Sequence, residues 1–465
     1  MRIHKRPAIA SMAFAMGISL TFSAAIAEST AAEIRRDKFD QALPAIMRKH
    51  KVDMWIHVTR EAIPDNFAKY ELGTESGVVV FIDSGEERVE RMVLGRRWGS
   101  TQRQRDAPLT SVETTGAYDY IAPSVMVREM PSTPMTEHDY RFKGLSEFVN
   151  AHDPKKIAVN YIDDLGPWPT DRRTSDGISH TDYRLLANEL GKRFTARIIS
   201  SEYLILDYIA WKVPLEVKQL EKMALTRVAN ARRLFDEVEP GVTRVDESGV
   251  TIFRRMRTGQ SQRGRSAGWE NAIIIGGDIV AAPSEGLYGY VLKPDETDAP
   301  DEIQRLWQAY LKVEKVLRQS IRAGRRPVEI VEDYTADFKK QGIVVRANQL
   351  HMEIPKNDYP AYMKGFDPTQ LHISIDSHAQ MKGARPEPVE TYFAPRIGSL
   401  GPDWSHHIPL TDNHHFVIEY FFYMPSPGPE GKDNYLLWWA HEEALVGKRG
   451  VKYLSPPQKE LILIR

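Results

Sequence analysis

The chain has 465 residues, of which 42% are hydrophobic and 9% aromatic, and its formal net charge at pH 7 is -1. This composition excludes a disordered chain and provides enough apolar residues for one or two hydrophobic cores. A charge so close to zero makes neither nucleic acid nor an anionic membrane a favoured partner.

The N-terminal segment 1–27 has the features of a secretory signal peptide. Three basic residues, Arg2, Lys5 and Arg6, precede a mostly apolar run over 8–25, which ends in an Ala-Ile-Ala cleavage pattern. An uncleaved membrane anchor is the alternative, but Ser, Thr and Gly interrupt the run and a cleavage pattern follows it. We therefore expect a periplasmic or secreted protein that has no membrane association after cleavage and a net charge of about -4.

Residues 28–209 predict an α/β domain in which helices and strands alternate. The predicted elements are a first helix through residues 39–47, strands at 52–58, 77–83 and 155–161, and a helix at 180–194. Ser179 or Thr181 can cap the last of these helices. No glycine-rich turn follows any of the strands, so the sequence gives no sign of a phosphate-binding loop.

A second domain is predicted over residues 210–465. It opens with a long helix at 214–238, which Pro240 and Gly241 terminate. The next predicted elements are a helix at 245–256, strands at 273–275 and 278–281, helices at 300–323 and 327–341, and a strand-rich terminal region.

Two apolar runs in the terminal region each lead into a carboxylate. The runs 416–418 and 435–440 predict buried strands, with Glu419 at the end of the first and the pair Glu442 and Glu443 at the end of the second. A charge at the end of a buried strand is costly unless a counter-charge, a set of hydrogen-bond donors or a metal ion stabilises it. Because the chain has no cysteine, any metal ion must be bound by His, Asp or Glu.

Several segments, in their order and spacing, resemble the creatinase, aminopeptidase P and methionine aminopeptidase superfamily. These are the helix text at 212–223, the helix end at 239–243, the segment 290–300, and the carboxylate strands at 417–419 and 441–443. The resemblance covers essentially the whole mature chain. It implies an α/β (α+β) protein with a creatinase-like N-terminal domain over 28–209 and a pita-bread domain over 210–465. It also implies a homodimer, because members of the superfamily commonly pair.

The resemblance further implies a set of metal ligands. Members bind two divalent ions through two Asp, one His and two Glu, and two such ions activate a bridging hydroxide. Glu419 matches the first Glu position and Glu443 the second, while either His372 or His378 matches the histidine. We favour His372 as the metal ligand and His378 as a catalytic histidine on the substrate side.

The sequence departs from the superfamily at the two aspartates. Their hairpin falls where this chain has Pro283 and Lys293, neither of which can bind a metal cation, and Glu285 is the nearest carboxylate. One His and two Glu can still hold a single divalent ion, for which Mn, Fe, Co and Zn are suitable. We therefore expect one ion rather than two, and a chain without any bound metal is the alternative.

Further candidate residues lie beside the two carboxylates. His415 is a second catalytic candidate, because a neutral imidazole near a carboxylate can act as a general base. His441 and Tyr420 are candidate substrate-binding residues. Most of the other histidines in this region, such as His406 and His407, are predicted to be surface or loop residues.

The sequence leads to one main functional hypothesis and two alternatives. The main hypothesis is an exported metal-dependent hydrolase that resembles Xaa-Pro aminopeptidases and acts on a peptide or small amide. The first alternative is a catalytically inactive relative that serves as a binding module or scaffold. The second is a creatinase-like enzyme that acts on a small molecule other than a peptide, since one fold can host unrelated reactions.

Overall fold

The structure is a computed structural model. It describes residues 31–59, 65, 67–74, 77–94, 116–121, 142, 144–165, 177–257, 271–346, 370–379, 395–398, 402–425 and 434–465. The predicted signal peptide lies outside these residues and stays a prediction. The described residues fall into two compact units, one before residue 210 and one from residue 210 onwards. In this part of the chain, no helix is both long enough and apolar enough to cross a membrane.

The first unit is built on a six-stranded mixed sheet with the order β4-β3-β2-β1-β5-β6. Its elements are helix α1 (Leu43–His50), strands β1 (Met54–Thr59), β2 (Gly77–Ile82), β3 (Glu90–Leu94) and β4 (Tyr120–Ile121), helix α2 (Leu145–His152), strand β5 (Ile157–Val159), helix α3 (His180–Thr195), strand β6 (Ile198–Ser200) and helix α4 (Glu202–Ala210). β1 pairs antiparallel with β2 and parallel with β5.

The predicted elements of this unit are confirmed, with small shifts of their ends. α3 begins where the sequence predicts it, because the side chain of Ser179 accepts a hydrogen bond from the backbone amide of Asp182 and so caps the helix. Apolar residues of α3, among them Leu186, Leu190 and Phe194, pack with β1 and β2 in one hydrophobic cluster. Burial of this helix face on the sheet makes the unit an α/β layer.

The second unit contains two further sheets. Its elements are helices α5 (Pro214–Asp236) and α6 (Val245–Ser248), strands β7 (Thr251–Phe253), β8 (Arg255–Arg257), β9 (Ile279–Ala282) and β10 (Leu287–Val291), helices α7 (Asp301–Ser320) and α8 (Pro327–Lys340), and strands β11 (Val344–Val345), β12 (His372–Ala379), β13 (Arg396–Gly398), β14 (His415–Pro425), β15 (Asn434–Gly447), β16 (Gly450–Tyr453) and β17 (Ile462–Ile464). A four-stranded sheet has the order β17-β10-β9-β7. A seven-stranded sheet follows β11-β12-β14-β15-β16, with β13 paired to β12 and β8 to β15. The predicted mixture of α and β structure is thus confirmed.

The long antiparallel pair β14–β15 is the centre of the seven-stranded sheet. Its register aligns Val417 with Glu443, Glu419 with His441, and Tyr420 with Ala440. Since side chains alternate between the two faces of a strand, Glu419 and His441 share one face while Tyr420 and Glu442 share the other. The second face packs on α7, whose Tyr310 contacts both Tyr420 and the carboxyl group of Glu442.

Two predictions for the second unit are wrong. The helix predicted at 245–256 ends after α6, because Gly249 has φ +71° and the following residues pair with β9. Residues 251–253 are β-branched or aromatic, so a strand paired on one side is preferred to a helix. The strand predicted at 273–275 is reduced to a single bridge between Ile273 and Arg244.

The carboxylates also lie differently from the prediction. Glu419, Glu442 and Glu443 were predicted at strand ends, but β14 continues to Pro425 and β15 continues to Gly447. All three are therefore interior strand residues. Their charges must be stabilised by neighbouring strands and helices and cannot be relieved by a loop open to water.

Candidate metal centre

Three side chains on one face of the seven-stranded sheet come together. His378 from β12, Glu419 from β14 and His441 from β15 each offer a nitrogen or oxygen atom, and these atoms lie within 4.8 Å of one another. The pairing register of the three strands explains why these side chains lie close together. Glu419 lies directly opposite His441, and His378 lies opposite Val417, two residues before Glu419 on the same face.

The pairing of β12 with β14 is interrupted where these residues meet. The register runs from His372 to Ile375 and resumes at His378. At the break, the Ser377 hydroxyl accepts a hydrogen bond from the backbone amide of Glu419 at 3.1 Å and donates one to its carbonyl at 3.3 Å. A side chain thus replaces backbone partners and holds Glu419 in place.

Contacts with neighbouring groups orient two side chains of this group, His378 and Glu419. His378 Nδ1 lies 3.3 Å from the Ala379 carbonyl, so its other ring nitrogen, Nε2, faces Glu419 Oε2 at 3.7 Å. The indole of Trp439 donates to Glu419 Oε1 at 3.1 Å. One carboxylate oxygen is therefore fixed by a donor, while the second faces His378. Such outer contacts orient metal ligands in proteins.

The protonation of the group suits a cation. Burial raises the pKa of Glu419, but the close contact with the His378 imidazole and the charge interactions with His441 and His378 outweigh burial and leave this pKa below its ordinary value. Burial lowers the pKa of His441 more than the neighbouring Glu419 raises it. At neutral pH the group therefore contains an anionic carboxylate and a neutral imidazole, the forms that bind metal ions.

The residues fit a single divalent ion. Two ligands at about 2.1 Å from a tetrahedral ion are about 3.4 Å apart, close to the 3.7 Å between His378 Nε2 and Glu419 Oε2. His441 Nδ1 is buried and has no hydrogen-bond partner among the described residues. Three protein ligands leave the fourth position of a catalytic zinc-type site for water or substrate.

A neighbouring carboxylate does not join the group. Asp376, two residues before His378, is buried and forms a two-pronged ion pair with Arg396 of β13. Burial raises the pKa of Asp376, and the pairing with Arg396 opposes this rise. Its negative charge is therefore offset locally by the guanidinium.

The structure brings together some of the residues predicted from the sequence and not others. His372 lies six residues before His378 on β12, opposite Val344 of β11, a distance along the strand of about 20 Å. Glu443 lies outside the three-residue group and contacts Arg227 and His415. The metal roles predicted for His372 and Glu443 stay predictions.

The remaining predicted residues fall on both faces of the sheet. His378 and His441, predicted to be catalytic and substrate-binding, both belong to the group, while His415 is fully buried beside Glu443. Tyr420 is buried on the opposite face against Tyr310. Sequence reasoning did not identify Arg227, and no local pattern in its helix distinguishes it from other exposed-face arginines.

No family model matches this chain, and no curated protein matches it. Solved structures do match over most of its length. They include an Xaa-Pro dipeptidase from Bacillus anthracis, with a TM-score of 0.47, 13% identity, and coverage of 93% of this chain and 100% of that chain. An X-Pro aminopeptidase from Thermotoga maritima MSB8 has a TM-score of 0.49 and 11% identity, with coverage of 90% of this chain and 100% of that chain. A prolidase from Pyrococcus horikoshii OT3 has a TM-score of 0.44 and 13% identity, with coverage of 92% of this chain and 99% of that chain. With identities of 11–13% and TM-scores below 0.5, these likenesses do not by themselves assign a function to this chain.

Proposed function

We propose that this protein is an exported hydrolase of peptides or small amides, similar to Xaa-Pro aminopeptidases, that works with one divalent metal ion. The observation that supports it is the convergence of His378, Glu419 and His441 from three neighbouring strands. Two imidazoles and one carboxylate form the ligand set of one class of zinc hydrolase. The sequence resemblance supplies the peptide or amide as substrate.

A divalent ion at such a centre lowers the pKa of a bound water and polarises a carbonyl group. The chain's own residues determine where this chemistry takes place. Glu419 keeps its negative charge and is held through Trp439 and Ser377, and His378 is oriented by the Ala379 carbonyl. The side chain of His378 is 18% exposed, whereas that of Glu419 is 7% exposed, so the histidine is the more accessible of the two.

Metal binding tests the ligand assignment directly. Purified protein is treated with a chelator, and the binding of Zn²⁺ and Mn²⁺ is measured by calorimetry and by elemental analysis after dialysis. We expect one ion per chain in the wild type, and a loss of at least about 100-fold in affinity for His378→Ala, Glu419→Gln and His441→Ala. His407→Ala is the matched control, because His407 is an exposed histidine of the same unit.

Hydrolysis tests the reaction. Proline-containing peptides and small amides are incubated with the metal-loaded protein, and the release of amines is followed before and after chelation. A wild-type protein that binds no divalent ion contradicts the proposal. A protein that binds one ion but turns over none of these substrates, while retaining them in a binding assay, supports the inactive binding module instead.

Export and pairing complete the proposal. The basic and apolar pattern of residues 1–27 supports export, and sequencing the N-terminus of the protein from the periplasm or medium tests it. The superfamily resemblance supports a homodimer, which sedimentation at several concentrations tests. An unprocessed N-terminus would contradict export, and a monomer at every concentration would contradict the homodimer.

A further inference from the structure

A second cluster of charged residues lies on the same face of the sheet as the candidate metal centre. Its central residue is Arg227 of α5, whose guanidinium lies 2.9 Å from Glu443 Oε2 and 3.9 Å from Glu285 Oε1. The imidazole of His415 contacts the same oxygen of Glu443 at 3.3 Å. Two carboxylates therefore flank one guanidinium, and the imidazole contacts the nearer carboxylate.

The cluster is enclosed and adjoins the metal centre. The side chain of His415 has no exposed surface, and those of Glu443, Glu285 and Arg227 are 12%, 19% and 33% exposed. Glu443 is two residues after His441 on β15, so both side chains point to the same side of the sheet.

The position of Glu285 is set by a tight turn. Residues Pro283–Glu285 form a 3-10 turn between β9 and β10, and Gly286 follows at φ +64°. A Cβ atom at Gly286 would lie 2.7 Å from Glu442 Oε1, so the turn packs directly on β15. Only glycine allows this approach, and Glu285 of the same turn reaches Arg227 at 3.9 Å.

Carboxylate oxygens and an imidazole nitrogen are the kinds of atom that bind divalent ions, and Glu443, Glu285 and His415 supply them around Glu443 and Arg227. In this chain a guanidinium takes the position of such an ion. We propose that Arg227 is a built-in cation that fills a second cation position beside the metal centre and limits the protein to one divalent ion. The sequence resemblance implies two ions, and the residues present do not fit the second one.

This arrangement has a chemical consequence. A guanidinium is permanently charged and donates hydrogen bonds to carboxylates. It balances their negative charge as a metal ion would, but it does not coordinate a water molecule and lower its pKa. Arg227 can therefore balance Glu443 and Glu285 without supplying a second activated water. The proposal relies on the proposed function for the first ion and concerns only the second position.

The test counts bound ions. Removal of the guanidinium in Arg227→Met leaves Glu443, Glu285 and His415 able to take a divalent ion. We expect Mn²⁺ or Zn²⁺ bound per chain to rise from one in the wild type to two in the variant, by calorimetry and by elemental analysis after dialysis. Arg227→Lys keeps a cation and is expected to stay at one. Arg233→Met, which removes an exposed arginine from the same helix, is the matched control and is also expected to stay at one.

A second substitution assigns the new ion. Glu443→Gln added to Arg227→Met is expected to return the count to one, whereas His441→Ala added to Arg227→Met is expected to remove the first ion and keep the second. Arg227→Gln replaces Arg227→Met if the methionine variant does not fold, as judged by circular dichroism. A wild type that binds two ions, or a folded variant without the guanidinium that binds no more than the wild type, overturns the proposal.

The two proposals fail in different ways. A wild type with no ion and an Arg227→Met variant with one would remove the proposed function but support the role of Arg227. If the wild type binds one ion that depends on His378, and the Arg227→Met variant also binds only one, the metal site of the proposed function is supported and the role of Arg227 is refuted.

Discussion

Glu442 leads to a prediction about how the stability of this protein depends on pH. Its carboxyl group is buried on the face of the sheet opposite the metal centre, where Tyr310 donates to Oε1 at 2.5 Å. Burial raises the pKa of Glu442 to about 7, against an opposing effect of the Tyr310 hydrogen bond and with a smaller contribution from the charge of Glu314. The ordinary value of 4.5 applies once the chain unfolds.

The sign of the effect follows from this difference. The folded state holds the proton of Glu442 more tightly than the unfolded state, so its contribution to stability is complete below pH 4.5 and is lost as the pH rises through about 7. The full loss is about 3 kcal/mol, since each pKa unit is worth about 1.4 kcal/mol. Between pH 5 and pH 8 the free energy of unfolding should fall by about 2.5 kcal/mol on account of this residue.

Glu442→Gln tests the reasoning because glutamine keeps the size and an acceptor oxygen but does not ionise. Urea unfolding of chelator-treated wild type and variant at pH 5 and pH 8 should show the variant more stable at pH 8 by about 2 to 3 kcal/mol, and within about 1 kcal/mol at pH 5. Glu460→Gln, at an exposed glutamate of the same unit, should change neither value. An equal effect of Glu442→Gln at both pH values would refute a titrating buried carboxyl group.

Two further predictions concern the stability of the second unit and the support of the metal centre. Lys212 and Glu216 form an ion pair at 3.0 Å with neither side chain exposed. Lys212→Met should therefore lower the free energy of unfolding, measured in urea, by about 3 to 5 kcal/mol, and adding Glu216→Gln should recover most of this loss. A double variant that is no more stable than Lys212→Met would contradict this reasoning. Trp439→Phe removes the donor to Glu419 Oε1 and should weaken Zn²⁺ binding about 10-fold or more by calorimetry, while an unchanged affinity would show that the indole does not hold the carboxylate.

The sequence was sufficient where the determining interactions are local. The cap at Ser179 predicts the start of α3, and the apolar run before Glu419 predicts β14. The segment 245–256 was mispredicted because its second half pairs with β9, a partner some 25 residues away in the chain that no window of local pattern includes.

The choice between His372 and His378 shows the limit for the site. Both lie on β12 with an even spacing, so alternation alone gives them the same face. Only the register with β14, which aligns His378 with Val417, decides which histidine reaches Glu419. Arg227 is more remote still, because its contacts arise from the packing of α5 against a turn and a strand that share no local signal with it.

The alternation along β15 limits how this hairpin can change in evolution. His441 and Glu443 face the charged side, while Glu442 between them faces Tyr310 of α7. Deletion or insertion of one residue within the strand would exchange these two environments, placing ligands in the aromatic core and the buried acid among the charges. Changes of two residues would preserve the assignment. We therefore expect related proteins to differ in the length of this strand only by even numbers of residues. Each position would then keep its face of the sheet even where the residue type changes.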